Sequence, residues 1–383
     1  MNELLAMEDK LKVLKENNLY RNLKVLSSAQ TTNAILEGQK ILLLSSNSYL
    51  DLSNEEEIKN YVKEVIDEYG IGSGGSRLTT GSYDLHEKLE SLLADIKHTE
   101  AALVFNTGYM ANVGIISSIC TKEYVIFSDE LNHASIIDGC RLSKGKTIIY
   151  KHNDMKDLEK KLKENPCEKG LIVTDGVFSM DGDIANVPGI INLARKYKVL
   201  TMVDDAHGTG VLGKNGRGTG EYYGIEGLVD IYMGTLSKAI GSEGGFVCGS
   251  RVLIEYLKNS ARSFIFSTAL SPSTIAASVK ALEIIKRDNS RTKALQENIK
   301  YFCEKLRNYG VEVNSETSII KVIIGDEERT MEIAKELLEK GIFVSAIRYP
   351  TVDKGTARLR VTLMATHTRE ELDFAAREIA TLI

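Results

Sequence analysis

The first residues with chemical potential are Gly234-Thr235-Leu236-Ser237-Lys238-Ala239-Ile240-Gly241, directly after the apolar run Ile231–Met233. A lysine here can form a Schiff base with an aldehyde cofactor, and the flanking hydroxyls can bind a phosphate. Most lysines are solvated surface charges. This one sits among Gly, Ser and Thr, past a buried-strand pattern and before Gly244-Gly245. A second group is Val203-Asp204-Asp205-Ala206-His207-Gly208, again at the end of an apolar run. A carboxylate beside a pyridine nitrogen keeps it protonated, so that the ring can absorb the electrons of a carbanion. Asp204 suits that role, and His207 is spaced to hydrogen-bond the phenolic oxygen of such a ring. A metal-ligand pair and a helix cap are competing readings, although no HxH, HExxH or Cys/His cluster supplies the further ligands a metal needs.

In Phe105-Asn106-Thr107-Gly108-Tyr109-Met110-Ala111-Asn112 a strand pattern gives way to a helix, with Gly108 at the junction. Free backbone N–H groups and the helix dipole make such a junction a phosphate seat, or an ordinary turn. Asn132-His133-Ala134-Ser135 offers an imidazole that could stack on a cofactor ring; a single histidine is more often structural. Gly70-Ile71-Gly72-Ser73-Gly74-Gly75 matches G-x-G-x-x-G, but it follows a helical pattern and no βαβ unit surrounds it, which argues against dinucleotide binding. The run 72–81 reads instead as flexible backbone approaching a ligand or partner.

The elements that must position these residues follow from periodicity. Residues 3–18 read as a charged amphipathic helix, Ile41–Leu44 as a short strand, and Ser53 with Glu56 as a capping box for a helix through Tyr69. Seven apolar runs then alternate with helical patterns: Ala101–Phe105, Tyr124–Phe127, Thr147–Tyr150, Leu171–Thr174, Val199–Val203, Ile231–Met233 and Gly245–Cys248. Short buried strands between helices predict a mostly parallel sheet covered on both faces, with ligands beyond the strands' carboxyl ends. One long helical region, 272–308, leads to strands at Ser318–Ile324, Phe343–Ile347 and Ala357–Met364, a helix at Arg329–Lys340, and a last helix capped by Thr368 and Glu371. We therefore expect an N-terminal arm and helix over 1–45, a large α/β domain over 46–275, and a smaller α+β domain over 276–383.

Composition narrows the classes. The 383 residues carry a net charge of −5, which gives no support to nucleic-acid binding. Five scattered cysteines form no CxxC pair, which disfavours zinc and disulfides and fits a reducing cytoplasm. No signal-peptide core is visible, and no apolar stretch approaches the ~20 residues of a membrane span.

Taken together, the motifs resemble the α-oxoamine synthases, fold-type I pyridoxal-phosphate transferases. Gly72-Ser73-Gly74-Gly75-Ser76-Arg77, Asn106-Thr107-Gly108-Tyr109, Ser128-Asp129-Glu130-Leu131-Asn132-His133-Ala134-Ser135, Asp204-Asp205-Ala206-His207-Gly208 and Thr235-Leu236-Ser237-Lys238 occur in the family's order between Arg21 and His367. The resemblance implies a homodimer with shared active sites that condenses an amino acid with an acyl thioester and releases carbon dioxide. It implies that Lys238 carries the cofactor, His133 stacks on its ring, and Asp204 meets the pyridine nitrogen. Ser179 and His207 would lie near the phenolic oxygen. Gly108, Tyr109 and Thr235 would fix the cofactor, with Ser267 and Thr268 reaching its phosphate from the partner subunit. Arg360 would grip the amino-acid carboxylate, and Arg21, Asn47 and Thr351 would contact substrate.

The segments Ala346–Val352 and Gly355–Leu363 are most similar to the branch that joins L-alanine to a pimeloyl thioester. The rival branch joins glycine to acetyl-CoA, and Ser76, small, leaves room for alanine's methyl group. A non-catalytic scaffold of the same fold is the reading from another class, against which Lys238 and Asp204 stand. The family's Ser-Ser-Asn-Asp-Tyr-Leu-Gly-Leu is altered here, with Ser48 for an acid and Asp51 for a glycine. On alternation alone, Arg358 and Arg360 share one face of a strand and read as solvent-facing, and His367 reads as structural or exposed.

Overall fold

The computed structural model describes residues 3–16 and 19–383, so the last two residues of the helix expected over 3–18 lie outside the described residues. Helix α1 (Glu3–Glu16) has no buried residue. Strands β1 (Asn33–Leu36) and β2 (Gln39–Leu43) form an antiparallel hairpin. Glu37 and Gly38 turn it with φ of 49° and 84°, the two positive values that match a tight turn to strand twist. Helix α2 (Glu56–Tyr69) starts where expected, but without the Ser53–Glu56 box: Glu55 is the N-cap and its side chain makes no cap bond. The Ser53 hydroxyl faces Ser48 Oγ at 3.3 Å and Gln30 O at 3.4 Å instead. Helix α3 (Asp84–Ile96), not singled out by its pattern, follows the glycine-rich loop.

Next come β3 (Ala101–Phe105), α4 (Gly108–Ile119), β4 (Tyr124–Asp129), α5 (Ala134–Leu142), β5 (Lys146–Tyr150) and α6 (Met155–Glu164). They are followed by β6 (Lys169–Asp175), α7 (Val187–Tyr197), β7 (Leu200–Asp204), α8 (Thr219–Tyr223), β8 (Ile231–Thr235) and β9 (Gly245–Gly249). All seven expected strands are present in one sheet, ordered β3-β9-β8-β7-β6-β4-β5. It is parallel except at β9, which runs antiparallel to β8 and β3. Successive side chains on a strand point to opposite faces, and both faces here are apolar. Leu103 and Phe105 join the cluster containing Ile115 and Ile116 of α4. Ala102 and Val104 join the one containing Leu89 and Leu93 of α3. Burial on both sides is why these strands read as unbroken apolar runs.

The remaining helices are α9 (Arg251–Ser260), α10 (Arg262–Ile265), α11 (Pro272–Arg287) and α12 (Ser290–Asn308). The helical region 272–308 is thus two helices. Asp288 adopts an extended conformation, φ −145° and ψ 119°, and its carboxylate takes the Ser290 N–H at 2.8 Å. Aspartate competes for backbone donors in this way, which ends one helix and starts another. Last come β10 (Ile319–Gly325), α13 (Glu327–Glu339), β11 (Ile342–Phe343), β12 (Ser345–Ile347), β13 (Ala357–Thr362) and α14 (Arg369–Leu382). The strand expected over 343–347 is divided: β11 pairs parallel with β2, while β12 joins β13 and β10 in an antiparallel sheet. Thr368 and Glu371 form the capping box expected for α14.

Candidate active site

The carboxyl ends of the parallel strands bring three acids together. Asp175 ends β6 and pairs in register with Asp204 at the end of β7; Asp129 ends β4. Asp204 is buried, and its Oδ2 accepts from Asn112 Nδ2 at 2.7 Å while Oδ1 accepts from the Ala206 N–H at 3.0 Å. The same Asn112 amide donates to Ser135 Oγ at 2.8 Å, which ties α4, α5 and β7 around this carboxylate. Asp175 Oδ2 accepts the His133 N–H at 2.7 Å. Burial, reinforced by the neighbouring Asp204 charge, pushes the Asp175 carboxyl well above its ordinary range.

His133 caps α5, its Nδ1 accepting the Ser135 N–H at 3.2 Å, which leaves the proton of the neutral ring on Nε2. Burial lowers its pKa, the Asp204 charge opposes that, and Lys238 adds to it. Lys238, past the end of β8, places Nζ 2.9 Å from His207 Nε2. Burial brings Lys238 down to about 8 against the pull of Asp204 and Asp175. Burial holds His207 well below its ordinary value, helped by the charges of Lys238, Arg360 and His133. The other ring nitrogen, Nδ1, lies 2.7 Å from Tyr49 Oη.

Arg360, on β13, reaches the same place from the smaller antiparallel sheet. Its Nε donates to the Ser179 carbonyl at 2.6 Å and its Nη2 to Asn47 Oδ1 at 3.2 Å. Two of the five guanidinium donors are so held, which orients the plane and leaves donors for a carboxylate. The solvent-facing reading of this strand is overturned: Arg358 and Arg360 are each 6% exposed. Arg358 Nη1 donates to Asp181 Oδ1 at 2.6 Å, an acid 177 residues away whose carboxylate also takes Lys321 Nζ at 2.8 Å. His367 is buried and structural, with Nδ1 accepting the Met364 N–H at 2.9 Å, and burial lowers it to about 4.

The start of α4 lies against the end of β8. A Cβ at Gly108 would come 3.1 Å from Met233 Cε and 3.5 Å from Thr235, so glycine permits the approach. Thr107 caps the helix, accepting from the Met110 N–H. Thr235 Oγ1 sits 2.8 Å from Ser237 Oγ and donates to the Gly244 carbonyl at 2.8 Å. Tyr109 is half exposed, with its hydroxyl on Asp138. Thr268 and Ser76 form a backbone bridge, and Thr268 O accepts from Asn106 Nδ2 at 2.6 Å, so the 266–268 segment stands beside the Asn106–Gly108 turn. Ser267 Oγ donates to Thr268 O at 3.3 Å, a local bond. Arg21 and Thr351 are exposed and are not brought onto this cluster.

These side chains suit pyridoxal phosphate. With the Met110 N–H taken by the Thr107 cap, the Gly108 and Tyr109 N–H groups, which helix geometry leaves without an intrahelical partner, meet Thr235 at a seat for a phosphate. Asp204 is a buried carboxylate held by donors, and Lys238 is an amine whose charge is easily lost. Among the described residues no group of three or more His, Cys, Asp or Glu is placed to hold a metal ion. Sequence reasoning missed Tyr49 and Asp175 as parts of this site. Asp175 carried one usable signal, an acid ending an apolar run like Asp204.

Asp51 explains itself locally. It has φ 52°, the conformation a glycine adopts freely and aspartate tolerates better than most residues, and it accepts from Thr366 Oγ1 at 2.6 Å.

Comparison with known proteins agrees. The aminotransferase class I and II family matches residues 39–379. The chain is 53% identical over 372 residues to an 8-amino-7-oxononanoate synthase of Lysinibacillus sphaericus, covering 96% of this chain and 95% of that one. A solved serine palmitoyltransferase from S. paucimobilis, with PLP and myriocin bound, superposes with a TM-score of 0.92 at 30% identity, covering 100% of this chain and 96% of its own. The solved 8-amino-7-oxononanoate synthase of Francisella tularensis gives 0.78 at 31% identity, over 89% of this chain and 97% of that one. Fold, strand-end acids and lysine, and near full-length similarity converge: this chain belongs to the class I and II aminotransferase family of pyridoxal-phosphate enzymes.

Proposed function

We propose that this protein is an acyltransferase that condenses L-alanine with pimeloyl-CoA, or a pimeloyl-carrier protein, giving 8-amino-7-oxononanoate, carbon dioxide and the free thiol carrier in biotin biosynthesis. The observation that carries the reading is an oriented, buried Arg360 beside Lys238 and Asp204, in a chain half identical to a synthase of that name. Pyridoxal phosphate, when bound, supplies the electron sink for a carbanion at the amino-acid Cα.

The protein's own residues do the rest. Asp204 would hold a proton on the pyridine nitrogen, and Ser179 and His207 would serve the phenolic oxygen. Gly108, Tyr109 and Thr235 would seat the phosphate, and Ser267 and Thr268 of a second copy would join them in a homodimer. Arg360 fixes the plane of the alanine carboxylate and so selects which Cα bond breaks. Lys238, with a pKa brought near neutrality, takes the Cα proton as general base and returns one at the end. His133, with its proton on Nε2, polarises the thioester carbonyl. Asn47 and Ser76 would contact substrate, and Arg21 and Thr351, exposed and away from this cluster, would meet it further out.

The three-part division at 45 and 275 places Arg360 in the smaller domain and the lysine in the larger. No helix among the described residues is long and apolar enough to cross a membrane; with five free cysteines, a cytoplasmic location is our reading.

The test is a product assay by mass spectrometry, pairing L-alanine or glycine with pimeloyl-CoA or acetyl-CoA. Alanine with pimeloyl-CoA should dominate. Preference for glycine with acetyl-CoA would reassign the chain to 2-amino-3-ketobutyrate CoA ligase activity. A protein that cannot be reconstituted to a yellow form would be a scaffold.

A further inference from the structure

Tyr49 is fully buried at the centre of the site and has no role in the chemistry above. Its hydroxyl stands 2.7 Å from His207 Nδ1 and 3.0 Å from Asn47 Oδ1. Asn47 Oδ1 also accepts from Arg360 Nη2, and His207 Nε2 meets Lys238 Nζ at 2.9 Å. One continuous hydrogen-bonded path, Arg360–Asn47–Tyr49–His207–Lys238, therefore joins the carboxylate-binding guanidinium to the cofactor lysine. We propose that Tyr49 is a positioning residue whose hydroxyl selects the tautomer of His207, so that a carboxylate arriving at Arg360 is relayed to Lys238.

Donor counting supports this. Asn47 Oδ1 can only accept, and the neutral His207 ring has one N–H. Burial keeps Tyr49 a phenol with a single proton and keeps His207 uncharged. With one proton, Tyr49 can donate to His207 Nδ1 or to Asn47 Oδ1 but not to both, so two arrangements are open, and only the second puts a proton on every contact of the path. If Tyr49 donates to His207 Nδ1, the ring carries its proton on Nε2 and presents a donor toward Lys238 and the cofactor. If Tyr49 donates to Asn47, His207 donates from Nδ1 to Tyr49 and presents a bare Nε2, which suits a lysine free to donate. A carboxylate that takes Arg360 Nη2 removes one donor from Asn47 Oδ1 and favours the second arrangement. Substrate arrival and lysine release then call for the same tautomer. The charged or titratable groups facing His207 are Lys238 after β8, Arg360 on β13 and His133 at the start of α5; none of them can replace a hydroxyl that both donates and accepts at Nδ1.

The inference rests on the functional reading of Lys238, His207 and Arg360. The test uses holoenzyme labelled with ¹⁵N-histidine; the chain has six histidines, and His207→Asn assigns the signal. Saturating L-alanine without acyl thioester should move the wild-type His207 ring from Nε2–H to Nδ1–H. In Tyr49→Phe that response should vanish, with KM for alanine raised at least about threefold. Asn47→Ala, which keeps Tyr49 but removes the oxygen that Tyr49 and Arg360 share, should also abolish the response, and it serves if Tyr49→Phe does not fold. A wild-type response in either variant overturns the relay. A wild-type holoenzyme whose cofactor absorbance ignores alanine would overturn the functional reading, and the relay with it.

Discussion

Lys97→Met should destabilise the protein from beneath the site. Lys97 follows α3 and extends its ammonium under the cofactor turn, donating to Asp205 Oδ2 at 2.6 Å, Thr209 Oγ1 at 2.8 Å and the Arg217 carbonyl at 2.6 Å. The two side chains are 2% and 0% exposed. Asp205 otherwise has the Thr219 N–H, 3.2 Å from both carboxylate oxygens. Methionine keeps the length and volume of the lysine stem but strands a buried carboxylate, a loss of about 3–5 kcal/mol for a broken buried pair. At about 2.1 cal/mol/K per residue, a chain of 383 residues has an unfolding entropy near 0.8 kcal/mol/K, so the midpoint should fall by about 4–6 °C. Calorimetry of the PLP-loaded proteins reads this directly. Lys97→Met/Asp205→Asn, which removes both charges, should lose less than the two single variants added together. A drop below about 1 °C in Lys97→Met, or strict additivity in the double variant, would refute the claim that this pair is desolvated and mutually dependent.

His152 lies between Asp129 (Nδ1, 3.0 Å) and Asp183 (Nε2, 2.9 Å); burial alone would lower its pKa, but the two carboxylates raise it to about 10. Its stabilisation is therefore complete below about pH 6.5 and is lost as pH rises toward 10, so the gap in melting temperature between wild type and His152→Gln should narrow over that range; a constant gap would contradict the assignment. Arg360→Ala removes charge-assisted hydrogen bonds of about 1.5–3 kcal/mol, and steady-state kinetics should show KM for alanine raised about 10- to 100-fold, whereas an unchanged KM removes Arg360 from the carboxylate role. Gly182→Ala should lower the urea midpoint by an amount equivalent to about 2–4 kcal/mol, because Gly182 has φ 76° and a Cβ there would sit 2.2 Å from the Ile319 carbonyl; a midpoint like wild type would show that the 178–184 loop can shift.

Much of the large sheet was legible because burial on both faces writes itself as apolar runs, and Asp204, His207 and Lys238 stand just past such runs. What the pattern could not show is pairing across distance. Arg358 looks like a solvent-facing strand residue until Asp181 arrives from the loop after β6. Phe343–Ile347 looks like one strand until its halves choose different partners, and no local signal at Tyr49 indicates that His207 packs against it. Single-residue punctuation also escaped: Asp288 divides a region whose helical periodicity is otherwise continuous. The Ser53–Glu56 spacing fits a capping box, but Ser53 is turned toward Ser48 and Gln30, and the box is absent.

The pairing of Leu42 with Ile342 has a consequence for how the chain is made. At about 5–20 residues per second on the ribosome, roughly 300 residues separate the emergence of the two strands by about 15–60 s. Throughout that interval the Ile41-Leu42-Leu43 edge has its hydrogen-bonding groups open to other chains. Nascent protein truncated before residue 342 would keep that edge open permanently, so expression yield should be more sensitive to loss of the residues from 342 onward than to loss of α1, which buries nothing.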